Sequence, residues 1–87
     1  MTRRRKLLSP LFGQIVKEAR LAHHLTQEDL ADRAGVHRTY IGDLENGRKS
    51  PTLDVVESLA EALACTAAQL VERAERQRVV QSKHDSR

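Results

Sequence analysis

The sequence predicts an all-α fold of five short helices, and three observations lead there. Only Phe12 and Tyr40 are aromatic among 87 residues, so Leu, Val, Ile and Ala must build the interior, which suits packed helices better than a β-sandwich. Apolar residues recur at helical rather than alternating spacing. One start signal returns three times: an apolar residue, a capping residue directly after it, and a second apolar residue five positions beyond the first. A chain of this length is one domain near the lower limit for a self-sufficient core, so added burial against a partner chain is expected.

The elements follow in order. Ser9 before Pro10 reads as a helix start, with Ser as N-cap and Pro at the first helical position. Phe12, Ile15, Val16 and Ala19 then face inward, and this first helix runs to about His23. Thr26 caps the second helix, Asp29 suits the positive end of its dipole, and Leu25 staples to Leu30. Gly35 ends it at a position that wants a left-handed residue. Val36 and Ile41 repeat the staple around His37, which opens a third helix that stops at Asn46-Gly47. Thr52 caps a fourth, with Leu53, Val56, Leu59, Ala60 and Leu63 apolar. Thr66 and Gln69 form a capping box for the fifth, with Cys65 and Leu70 as its staple. The expected organisation is a basic arm over 1–8, a helical domain over 9–74 and a polar tail over 75–87 that frays.

Composition excludes several classes. A single cysteine, Cys65, rules out an internal disulfide framework. No apolar run approaches the ~18 residues of a membrane span, and no apolar stretch follows Arg3, Arg4, Arg5 and Lys6 as a signal peptide requires. A cytoplasmic, nucleoid-associated protein is expected. His23, His24 and Cys65 lack metal-ligand spacing, and no nucleophile–base set or phosphate-cradling glycine loop occurs. The chain is therefore expected to be no enzyme and to need no cofactor, metal or small-molecule ligand. The net charge is +3, but the arm supplies four positive charges, leaving residues 7–87 at −1. Distribution matters more than the total. Residues 52–64 hold Asp54, Glu57 and Glu61 without a Lys or Arg, whereas Arg33, Arg38, Arg48 and Lys49 precede them.

The joint of helices 2 and 3 carries the functional reading. About three residues centred on Gly35 link them, as in a DNA-reading helix-turn-helix. Ala31 and Ala34 permit a close crossing, and Ile41 and Leu44 anchor helix 3 inward. Arg38, Thr39, Gly42 and Asp43 are left on its outward face. The run from Leu25 to Val36, then Tyr40-Ile41, Leu44-Glu45-Asn46-Gly47-Arg48, Pro51-Thr52-Leu53 and Leu59-Ala60-Glu61-Ala62-Leu63, resembles the Cro/C1-type (XRE) helix-turn-helix family over roughly residues 11–73. The resemblance implies a five-helix, lambda-repressor-like domain that binds a double-stranded DNA operator as a homodimer.

It also implies roles. Arg38 and Thr39 stand where the family places base readers, Arg for guanine and Thr for a hydroxyl bond or a thymine methyl. Asp43 would accept from cytosine N4, orient Arg38 or face solvent. Gln27 would reach a phosphate from the start of helix 2. Read from the residues themselves, Asn46, Arg48 and Lys49 are placed for further backbone contacts, as is His37 if protonated, while Tyr40 either sends its hydroxyl to a phosphate or packs partly into the core. His37 departs from the family's usual Ser or Thr cap, which suggests a weaker helix start. Gly42 suggests close backbone approach to DNA or no purpose at all. Arg20 and Glu45 are expected to pair and fix helix 3 to the body. Leu70, Val71, Val79 and Val80 are the candidates for a dimer interface. Within this class a restriction–modification controller is favoured over an antitoxin or phage-type repressor. A protein-interaction module on the same fold is the alternative outside it.

Overall fold

The computed structural model describes residues 7–85. Five helices follow in order: α1 (Leu8–Ala22), α2 (Gln27–Ala34), α3 (Arg38–Glu45), α4 (Leu53–Ala62) and α5 (Ala67–Asp85), with no strand among the described residues. α1 packs on both α3 and α5, α2 on both α3 and α4, and α4 also meets α5. The arm residues Arg3, Arg4, Arg5 and Lys6 lie outside the described residues. No described helix is long and apolar enough to cross a membrane.

Every helix contributes to one core. α1 gives Leu11, Phe12, Ile15, Val16 and Ala19, and α2 gives Leu30, Ala31 and Ala34. Ile41 and Leu44 come from α3, Val56, Leu59 and Ala60 from α4, and Leu70 and Ala74 from α5. Each fully buried aliphatic side chain contributes about 1.5–3 kcal/mol of burial free energy. Leu70 corrects one expectation. It sits at the inward end of the Cys65–Leu70 staple and is fully buried in its own chain, so it is a core residue with no surface to offer a partner. Val71, Val79 and Val80 do remain exposed.

One closing device ends four helices. His24, Gly35, Gly47 and Ala64 each adopt a left-handed conformation. The next residue's N–H then donates five residues back: Leu25 to Arg20, Val36 to Ala31, Arg48 to Asp43 and Cys65 to Ala60, at 2.8–3.0 Å. This is the Schellman geometry. At three of the four ends the residue after the left-handed one is apolar, and the residue after that caps the following helix. Thr26 and Asp29 bond reciprocally as a capping box, as do Thr66 and Gln69. Leu25, Val36 and Cys65 thus close one helix and staple the next, which keeps the connections short and the helix angles fixed. Burial pushes the Cys65 thiol up, in keeping with this packing role.

Two boundaries differ from the expectation. α1 begins at Leu8 with Leu7 at the N-cap and no side-chain cap, so Ser9 lies inside the helix and Pro10 in its first turn. Pro is tolerated there because first-turn N–H groups have no intrahelical acceptor. Leu7 packs on the core and accepts from Leu11 N–H at 3.1 Å, which draws the start outward. At the other end, residues 75–85 continue α5 instead of fraying. Ion pairs Glu72–Arg76 and Glu75–Arg78 support this turn, and Arg73 reaches Glu18 of α1 at 3.4 Å.

Candidate nucleic-acid interface

The interface is built on α2, α3 and the seven-residue-scale loop that follows α3. α3 presents Arg38 and Thr39, both exposed, in its first turn, while Ile41 and Leu44 are fully buried beneath. His37 caps this helix: its Nδ1 accepts from Thr39 N–H at 3.1 Å. The expected weak start is thereby corrected, because a neutral imidazole offers one ring nitrogen as acceptor and reproduces the geometry of a Ser or Asn cap. The other ring nitrogen then carries the proton. Tyr40 is half-buried against the core, and burial pushes its phenol up, so the hydroxyl remains a donor at neutral pH.

Asp43 does not orient Arg38 through any bond of this structure; its carboxylate faces Arg48 Nη1 at 3.5 Å. Asn46, Arg48 and Lys49 are exposed on the loop leading to α4. Pro10 lies beside Gly47, 3.4 Å from where a Cβ on that glycine would sit, so the chain enters α1 at the edge of this loop.

Behind the face lies a buried ionic network. Arg20 Nε and Nη2 donate to the two carboxylate oxygens of Glu45 at 2.8 and 3.1 Å, and Arg20 Nη1 donates to the Leu25 carbonyl at 2.7 Å. Gln27 Nε2 adds a third donor to Glu45 at 3.1 Å. No buried side-chain polar atom among the described residues lacks a partner. Such a pair contributes little net stability against desolvation, but loss of either partner strands a buried charge. The network ties α1, the start of α2 and the end of α3 together.

Two features escaped the sequence reading. Gly13 in α1 meets the end of α3 backbone to backbone: a Cβ there would stand 2.0 Å from the Leu44 carbonyl oxygen and 3.0 Å from its carbon. The available signal was its cost, since Gly within a helix gives up about 1 kcal/mol relative to Ala. The Gln27–Glu45 bond is the second, a contact between residues 18 apart in sequence. What lies over Gly42 in this structure is the Gln27 amide. Among the described residues, no cluster of three or more His, Cys, Asp or Glu is arranged to hold a metal.

Known proteins resemble this chain in sequence and fold. The helix-turn-helix family model HTH_3 matches residues 16–70. The control protein C.BamHI of Bacillus amyloliquefaciens is 40% identical over 63 residues, covering 71% of this chain and 78% of that protein. The restriction–modification controller protein C.AhdI of Aeromonas hydrophila superposes with a TM-score of 0.68 at 38% identity, covering 70% of this chain and 92% of that one. A mutant of the controller C.Esp1396I, bound to its highest-affinity operator site, gives a TM-score of 0.74 at 25% identity over 83% of this chain and 95% of that one. With the five-helix fold, the Gly35 turn and these matches in hand, the chain belongs to the helix-turn-helix (HTH_3, XRE/Cro–C1) family of DNA-binding transcription regulators, which has no catalytic function.

Proposed function

We propose that this protein is a restriction–modification controller that binds a pseudo-palindromic operator as a homodimer and regulates transcription by occupying it. The observation that carries the reading is the exposed Arg38–Thr39 pair at the start of α3, held outward by the buried Ile41 and Leu44. In this reading α3 lies in the major groove. Arg38 takes guanine O6 and N7, Thr39 reads a neighbouring base, and Asp43 accepts from a cytosine N4 once Arg48 turns to the backbone. Gln27, His37, Tyr40, Asn46, Arg48 and Lys49 ring this face and contact phosphates. His37 does so through Nε2–H, since Nδ1 is occupied by the cap.

Two copies related by a two-fold axis would set their α3 helices about 34 Å apart, one turn of DNA. The exposed Val71, Val79 and Val80 of α5 supply the apolar surface for that pairing; the last two face a shallow depression bordered by Glu72, Glu75 and Arg76. The controller subtype draws its support from C.BamHI and C.AhdI. Binding to the DNA upstream of the protein's own gene, compared with a shuffled duplex of equal length, tests the function. Preference for the upstream DNA by 10³-fold or more is expected of a specific regulator, on the order of known specificity ratios. Equal binding to both duplexes would sink it.

A further inference from the structure

The Gln27 side chain is engaged within the protein before any DNA arrives. Its Nε2 donates to Glu45 Oε1, the same oxygen that accepts from Arg20 Nη2. Its Oε1 and Nε2 lie 3.8 and 3.9 Å from the position of a Cβ on Gly42. The amide of an α2 residue therefore crosses the α3 backbone at the one residue of that helix with no side chain. Turning the amide over would set its oxygen against the Glu45 carboxylate, so charge fixes the orientation. One Nε2 hydrogen is spent on Glu45 and the second is left over.

We infer, building on the DNA-binding reading above, that Gln27 is a positioning residue: the buried Arg20–Glu45 pair holds its amide across Gly42 and so locks the backbone-contacting start of α2 to the reading face of α3. A methyl group at position 42 would only touch this amide, whereas a longer side chain there would meet it. The remaining Nε2 hydrogen points from a fixed frame, and a phosphate that engages it also sets the register of Arg38 and Thr39. Phosphate contact and base reading are coupled through protein atoms rather than through the DNA alone.

The test compares wild type with Gly42→Ala, Gly42→Leu, Gln27→Ala and the Gln27→Ala/Gly42→Leu double variant. Two quantities are read: the Gln27 side-chain amide resonances in the free protein, and affinity for the upstream DNA. Both Gly42 variants raise helix propensity, so folding is retained. Gly42→Ala is expected to leave the Gln27 amide resonances in place, because its Cβ makes ordinary contact with the amide. Gly42→Leu should move the Gln27 amide resonances in the free protein and weaken DNA binding about tenfold, the scale of one hydrogen bond to a charged group. In the Gln27→Ala background the same leucine should cost little, a coupling that only a shared path produces. Equal losses with and without Gln27 would mean that leucine merely clashes with DNA, and would overturn the proposal. So would Gln27 amide resonances unmoved by Gly42→Leu. If the wild type shows no DNA preference, the DNA-binding reading fails separately, and the free-protein resonances still decide whether the lock exists.

Discussion

At Gly13 the sequence holds a residue whose whole value is the absence of a side chain. Its α1 backbone touches the Leu44–Glu45 backbone of α3, and rigid backbone cannot yield to a methyl group. Gly13→Ala, which would gain about 1 kcal/mol in an isolated helix, is expected to destabilise the protein by about 3 kcal/mol instead. Chemical denaturation reads the sign directly, and a stabilised Gly13→Ala would refute the close crossing. His37 makes the opposite point. Its departure from Ser or Thr reads in sequence as a poor cap, yet the imidazole bonds Thr39 N–H. His37→Ala should cost about 1 kcal/mol, and His37→Ser should retain the stability of the natural residue. Residue identity made the inward and outward faces of α3 legible. It could not reveal that Gln27 joins the expected Arg20–Glu45 pair, because Gln27 and Glu45 approach only after α2 and α3 have crossed.

Among the elements, starts were more legible than stops. Thr26, Thr52 and Thr66 each accept a backbone N–H from three residues ahead, as their sequence positions indicate. Gly35 and Gly47 mark two ends openly, whereas His24 and Ala64 occupy the same left-handed position without being glycine. The backbone geometry there is imposed by the following apolar staple, so composition gives no sign of it. A left-handed L-residue costs about 1–2 kcal/mol. Ala64→Gly is accordingly expected to raise stability by about 1 kcal/mol, while Ala62→Gly inside α4 should lower it by a similar amount. Thermal unfolding of the two variants side by side checks this, and a loss at both positions would contradict it. The α2 cap also carries a pH signature. The Thr26 backbone N–H, then the Thr26 hydroxyl, hold the Asp29 carboxyl below its ordinary value. A depressed folded pKa stabilises above the unfolded value and fades as pH falls through the folded one. The stability deficit of Asp29→Asn should therefore be present at neutral pH and shrink in acid, and a deficit that grows in acid would contradict the capping box.

For the whole molecule, the five-helix order and the single core were legible because amphipathic spacing, caps and staples all pointed to one fold. The helical continuation of residues 75–85 was not. Ion pairs at i,i+4 and i,i+3 support it as far as Arg78, with no apolar stripe in the sequence to announce it. That extension carries Val79 and Val80, which makes α5 the test of assembly. The proposed pairing through α5 predicts that a Val79→Asp/Val80→Asp variant sediments as a monomer under conditions where the unsubstituted protein sediments as a dimer, and sedimentation unchanged by the substitutions would contradict it. In the proposed complex α3 reads bases through Arg38 while the surrounding residues hold phosphates. The most direct measurement is the ratio of affinities for upstream and shuffled DNA across a salt titration, for Arg38→Ala and Lys49→Ala. Arg38→Ala should lower the ratio by about 1–3 kcal/mol of discrimination. Lys49→Ala should weaken binding to both duplexes alike and reduce the salt slope by about one. A ratio untouched by Arg38→Ala, with both variants altering only the salt slope, would contradict the account.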